Sequence, residues 1–392
     1  MLIPLSPMDY YFLRKYLYCI QFIFEFAGEI EELALRKSIF EAVQVFPAMR
    51  SCLESRGDEF FLRPLAVSSP EEVSMRCVRL SGDFDIDNPE DQLHLIDPVV
   101  TAPGEVLLKL TLGLAKGRSF LSVSLSHLVG DGYSLFRFLT AISDAHQGSE
   151  VSPPSNDRRL LERASASPGS VDADRLFLAT GYVRPRPLAP LNSRRQRIFL
   201  SNTEVQELKR EARSAEFDLS TNHVLMAELL RRFHRSIPLH QGELIVRCPV
   251  DYRGIHPSLI EADSDYFGNA VRDAVACFDP EVFHRLSLSD IGIRIRDSIR
   301  RVDASEVQRS LDCLRDLRLQ DGPGVFESLG CPGLLVSNLS RMPLQKMDYG
   351  CGAPVRLVHV SLFPRLAAIL SHPEGVEIFV QAPTEGATEE SL

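Results

Sequence analysis

Along Leu121–Phe138 the pattern of apolar and polar residues changes period partway. Leu121, Val123, Leu125 and His127 share one parity, and Ser122, Ser124 and Ser126 share the other. Period two predicts a half-buried strand whose apolar face ends on an imidazole. Gly130-Asp131-Gly132 predicts a tight turn. Beyond it, Leu135, Phe136, Leu139 and Ile142 recur at helical spacing. A strand thus delivers a histidine to its tip, a turn carries a carboxylate, and a helix leads away.

The same reading extends in both directions. Tyr16–Phe26 predicts a strand with Phe22, Phe24 and Phe26 on one face. Glu31–Met49 predicts a helix with Leu33, Leu35, Ile39, Ala42, Val43 and Phe46 on its apolar side, stopped by Pro47. Cys52–Leu62 and Val73–Leu80 alternate enough for strands around a Ser68-Ser69-Pro70 turn. Leu107–Leu114 runs through a hairpin loop, Ala115–Arg118, into the central strand. Residues 145–197 change in character. Pro153-Pro154-Ser155-Asn156 and Ser165–Ser170 are loop compositions, and Arg184–Pro190 predicts an extended crossover. Past it, Gln196–Leu200, Glu243–Val250, Leu334–Asn338 and Gly375–Gln381 predict strands, and Thr203–Ala215 and Thr221–His234 predict helices. Ser220 or Thr221 is placed to cap the second helix. The tail from Thr384 predicts disorder. The order of elements suggests two similarly built α/β halves, residues 1–190 and 191–392.

Composition narrows the function classes. A length of 392 residues suggests two domains, and 44% hydrophobic with 24% charged residues is ordinary for a soluble globular protein. A net charge of −10 argues against a nucleic-acid surface, though not against a local pocket for a phosphate. Arg294, Arg296, Arg300 and Arg301 form a basic cluster on an expected helix, which reads first as a solvated face. The eight cysteines show neither CxxC nor zinc-ligand spacing and read as scattered reduced thiols. The first residues lack the charged start and apolar core of a signal peptide, and Tyr16–Phe26 is too short to cross a bilayer. The expectation is a cytoplasmic monomer.

The chemistry on offer is narrow. A neutral imidazole can take a proton from a hydroxyl or an amine near neutral pH. Asp131 could orient that ring or brace the turn through a cation. No GxSxG, GxGxxG or Walker pattern occurs, and no further ligands stand near His127 and Asp131 to hold a metal.

His127-Leu-Val-Gly-Asp131-Gly132 resembles the HxxxDG signature of the acyl-CoA-dependent acyltransferases related to chloramphenicol acetyltransferase. That group includes the BAHD acyltransferases and the condensation domains of peptide synthetases. Further stretches are similar to BAHD segments and fall in the same order: Pro4–Asp9 to PLSxxD, Ser220–Ala227 to STNDVLTA, Val250–Gly254 to VDxRxR, Tyr266–Val271 to YFGNAV, and Asp348–Gly352 to DFGWG. The resemblance implies two chloramphenicol-acetyltransferase-like lobes, each a mixed sheet flanked by helices, with a channel between them. It implies His127 as general base within the catalytic turn formed with Asp131 and Gly132. Asp131 is implied to be mainly structural and to pair with Arg253. Ser337 and Asn338 match positions near the thioester oxygen, with a strand-end cap as the competing reading. Asp348, Gly350 and Gly352 are implied to support the fold, and Cys351 departs from the family tryptophan. The implied reaction moves an acyl group from acyl-CoA to a small-molecule hydroxyl, less readily an amine. It needs no metal and no bound cofactor. A carrier-protein donor, or a silent binding module of the same fold, are the alternatives.

Overall fold

A computed structural model describes residues 2–13, 19–57, 59–162, 193–213, 217–262, 265–321, 333–360 and 365–383. Most of the expected crossover, including Arg184–Pro190 and the division near residue 190, lies outside the described residues, as does the tail from Thr384. The strands are β1 Ile3–Pro4, β2 Cys19–Phe26, β3 Ser51–Arg56, β4 Glu59–Pro64, β5 Met75–Arg79, β6 Leu108–Ala115 and β7 Arg118–Ser126. They continue as β8 Ser193–Ser201, β9 Leu244–Asp251, β10 Val271–Phe278, β11 Leu334–Asn338, β12 Arg356–His359, β13 Leu366–His372 and β14 Gly375–Pro383.

Two mixed sheets carry the fold. The first runs β12-β2-β7-β6-β5, with only β5–β6 parallel. The second runs β10-β9-β11-β13-β14-β8, with β11 parallel to both its neighbours. A small third sheet, β1-β4-β3, bridges through Cys52 and Leu53 to the segment that leads into β6. The helices α1 Pro7–Phe12, α2 Glu32–Val45, α3 Pro89–Leu95 and α4 Gly132–His146 belong to the first half. Leu135, Phe136, Phe138, Leu139 and Ile142 of α4 are buried, and Phe136 packs on Phe22 and Phe24 with ring centroids 5.7 and 6.0 Å apart. Each such side chain contributes ~1.5–3 kcal/mol by leaving water, so α4 is held down along its whole length. In the second half, Thr221–Phe233 and Leu288–Arg300 bury Leu225, Leu229, Ile291 and Ile295 in a core shared with Val246 and Val336 of the sheet.

Several expectations are corrected. Cys52–Leu62 is not one strand but parts of two, because the chain turns at Gly57, which has φ +60°, into the hairpin β3–β4. α2 stops at Val45, Pro47 starts a separate 3-10 turn, and Leu33 points outward at 68% exposure. β12 comes from the second half of the chain yet pairs with β2, so the first sheet is not built from residues 1–190 alone. The basic cluster is not solvated throughout: Arg296 is buried with its guanidinium 3.9 Å from the Phe217 ring, and Arg294 lies over Phe278.

Ser220 caps Thr221–Phe233, and His223 Nδ1 accepts the Ser220 amide at 3.1 Å, which requires a neutral ring. Burial, helped by Arg296 and Arg300, holds His223 below its ordinary 6.5. Burial does the same to His256, and it pushes His359 down to about 3, with the Arg195 charge adding to it. In the unfolded chain these rings bind protons near 6.5, whereas the folded protein does not, so acid favours unfolding. Stability should therefore fall as pH drops below 6.5 toward each folded value. Urea midpoints at about pH 7.5 and about pH 5.5 test this; a higher midpoint at the acid end would contradict it.

Candidate active site

β7 ends at Ser126, and His127 is the first residue of the turn that follows. Its ring is half-buried and stacks on Phe12 of α1, centroids 3.8 Å apart and planes 12° from parallel. His127 Nδ1 lies 3.0 Å from Asn269 Oδ1. The Asn269 NH2 group donates to Asp9 Oδ1 and to the His127 carbonyl, both at 2.8 Å. With both amide hydrogens engaged, the atom facing the ring is oxygen, so Nδ1 carries the proton and the lone pair is left on Nε2. Asp9 is held in turn by Arg158, both fully buried, and Arg158 also donates to the carbonyls of Leu128 and Val129. The turn after the strand is thus tied by its own carbonyls to α1 and to the second half of the chain.

Asp131 is the N-cap of α4 and is 1% exposed. Arg253 Nη1 and Nη2 donate to its two oxygens at 2.9 and 3.0 Å. The amides of Ser134 and Ala270 donate to it as well, at 3.0 and 2.9 Å. Burial, the largest influence, would raise this carboxyl, but Arg253 and the hydrogen bonds together hold it below its ordinary value. Arg253 reaches further, to the carbonyls of Tyr266 and Gly268 and the Ser134 hydroxyl, and packs over the Tyr133 ring at 4.3 Å. Asp251 also accepts from Arg253, yet burial dominates there and pushes its carboxyl up.

His127, Asp131 and Gly132 open onto a cavity of about 230 Å³. Its walls come from both halves of the chain: Phe12 and Phe22 from the first, Arg247 and Leu335 from the second. Ser337 and Asn338, at the end of β11, line it too. Asn338 is engaged locally: its oxygen accepts from Ser340, and its amide donates to Asn222 at 2.8 Å. Asp348, Gly350 and Gly352 lie elsewhere. Asp348 Oδ1 accepts the amides of Gly350 and Gly352, both at 2.9 Å, and both glycines need positive φ, +90° and +85°. This loop bonds Ser143 near the C-terminal end of α4, on the order of 15–20 Å from Asp131 at 1.5 Å per residue. Cys351 is half-buried there, and burial with the Asp348 charge keeps its thiol protonated. Among the described residues, no group of three His, Cys, Asp or Glu side chains could hold a metal ion.

Asn269, Asp9, Arg158 and Phe12 were not assigned to the site from the sequence. Asn269 and Asp9 sit inside the motif-like segments Tyr266–Val271 and Pro4–Asp9 and could have been found there. Arg158 and Phe12 carry no such signal.

The ion pair joins residues 122 positions apart, and removing one partner leaves a buried charge unmatched. Asp131→Asn or Arg253→Met alone should each cost ~3–5 kcal/mol of stability. The double variant should lose less than the sum of the two. Thermal melts of all three proteins check this, and strictly additive losses would mean the pair carries no coupling.

A family model described as the Transferase family matches residues 85–385. A hydroxycinnamoyltransferase of Narcissus pseudonarcissus is 27% identical over 61% of this chain and 57% of its own length. The matched stretch therefore spans little more than half of that relative. A shikimate O-hydroxycinnamoyltransferase of Nicotiana tabacum is also 27% identical, over 84% of this chain and 78% of its own. Among solved structures, F. graminearum TRI101 complexed with ethyl coenzyme A superposes with a TM-score of 0.77 at 15% identity, covering 100% of this chain and 98% of that one, a likeness of fold. On the extent of the family match, the chain belongs to the Transferase family, that of the BAHD acyltransferases.

Proposed function

We propose that the protein transfers an acyl group from acyl-CoA to a hydroxyl of a small molecule, less readily to an amine, with His127 as general base. The observation that carries this reading is the Asn269 contact at His127 Nδ1. It sets the tautomer whose Nε2 lone pair can accept a proton beside a cavity able to hold a substrate. The acceptor O–H gives its proton to Nε2 as its oxygen attacks the thioester carbonyl. The tetrahedral intermediate then collapses, and the leaving CoA sulfur takes the proton back from the imidazolium. Ser337, on the cavity wall, is the proposed donor to the oxyanion, with Asn338 beside it. One such donor is worth roughly 2.7–4 kcal/mol. Asp131 and Arg253 hold the turn and do not touch the reacting atoms. The names of the relatives and the coenzyme A in the TRI101 complex support this choice of donor.

His127→Ala should fold as the parent does and lose about 10²–10⁴-fold in turnover, read as free-thiol release from a panel of acyl-CoAs and alcohols. A near-parental rate would sink the assignment.

Because attack is direct, no acyl-enzyme forms. Cys351→Ser should stay active, and intact-mass spectra during turnover should show no acylated protein. A trapped acyl-cysteine would replace this scheme with a ping-pong one.

A further inference from the structure

A second histidine lines the cavity and has no place in the acyl-transfer steps. His359 ends β12, directly across from Phe22 of β2, and Phe22 is across from Val123 of β7. Alternation along these strands puts Leu357 and His359, Ile20 and Phe22, and Val123 and Leu125 on one face of the sheet. His127 follows at the same parity. Both histidines therefore emerge from one face, with Ile20 and Phe22 between them, and both border the same cavity. Four residues along the strands and two strand spacings across separate their Cα atoms by about 16 Å.

His359 is 8% exposed. Its ring meets the edge of Phe22, centroids 5.2 Å apart, and among the described residues neither ring nitrogen has a hydrogen-bond partner. Its ring nitrogens are not sealed from solvent, and the residue borders the cavity, so a substrate that displaces water there without bonding the ring leaves a donor and an acceptor unmatched. Buried polar groups in folded proteins are nearly always satisfied, and His359 faces a cavity in which a ligand could supply the partner. Burial keeps the ring neutral, so it offers one N–H and one lone pair. An uncharged hydroxyl complements either. The cavity wall also carries Ile20, Phe22, Met342 and Leu366, which suit an apolar body behind that hydroxyl.

We propose that His359 sets substrate specificity by hydrogen-bonding an uncharged hydroxyl at the far end of a largely apolar substrate whose reacting atom lies at His127. This rests on the reading of His127 as the reacting end. The hydroxyl could belong to the acyl group or to the acceptor, and matched pairs separate the two. In one arm, 4-coumaroyl-CoA is compared with cinnamoyl-CoA, which lacks only the ring hydroxyl. In the other, 2-(4-hydroxyphenyl)ethanol is compared with 2-phenylethanol. The full chain and its His359→Leu and His359→Gln variants are each measured for kcat/KM and, by calorimetry, for binding, with thermal melts to establish folding.

The parent should prefer the hydroxylated member of one pair by about 5- to 150-fold, the effect of leaving a buried polar group unmatched. His359→Leu should bring that ratio toward one, and His359→Gln should restore part of it. The arm in which this happens names the molecule that carries the hydroxyl. Calorimetric ratios keep the two readings distinguishable: discrimination in binding that His359→Leu abolishes supports the role of His359 even if no turnover occurs, a result that would count only against acyl transfer. If the parent discriminates in neither arm, or if folded His359→Leu and His359→Gln keep the parental ratio, the proposal is overturned.

Discussion

The arrangement depends on one buried ion pair. Asp131 and Arg253 lie 122 residues apart and meet in a two-pronged contact almost without solvent. Two charges taken out of water each cost several kcal/mol, and mutual attraction alone seldom offsets that. Here every oxygen of the carboxylate and every nitrogen of the guanidinium is engaged by backbone or side chain. Such a pair tolerates little displacement. It consequently fixes the start of α4, and with it the turn that carries His127, against the loop that follows β9.

A second set of contacts orients the imidazole. Asn269 lies one residue before Ala270, whose amide bonds Asp131, so the same short segment braces both ends of the turn. Asp9 and Arg158 close this network from the other side through the carbonyls of Leu128 and Val129. The turn is held by its backbone, its carboxylate and its ring separately. Preorganisation of that kind lets a weak base act without first being ordered.

The Asp348–Gly352 loop shows how a recognisable pattern can lie away from the chemistry. Its aspartate gathers two glycine amides, Tyr349 sends its hydroxyl to the Leu139 carbonyl midway along α4, and the Asp348 backbone bonds Ser143 nearer the helix end. The loop closes through the Asp348 carboxylate and not through the side chain at position 351. The loop acts on the site through the placing of the helix.

Local patterning was enough to specify the strand into His127, the turn, the helix after it and most of the other elements. These follow from period, caps and glycines, which act over a few residues. The motif order also pointed to the family and to Asp131 with Arg253 as partners. Asn269 and Asp9 lay inside quoted segments, but nothing local says that an amide in one will orient an imidazole in another. Arg158, Phe12 and His359 were invisible for the same reason, since each matters only through a contact more than a hundred residues away. The hairpin at Gly57 was missed because two short alternating strands joined by a two-residue turn look like one long strand, although the opposed Leu53 and Leu62 differ in parity. The placing of β12 beside β2 could not be read at all, because a four-residue strand carries too little pattern to choose its sheet. Sequence determined which segments could be strand, turn or helix, through interactions between near neighbours. Which side chains share the cavity was decided only by tertiary packing, because burial and hydrogen-bond partnership depend on what the rest of the chain brings alongside.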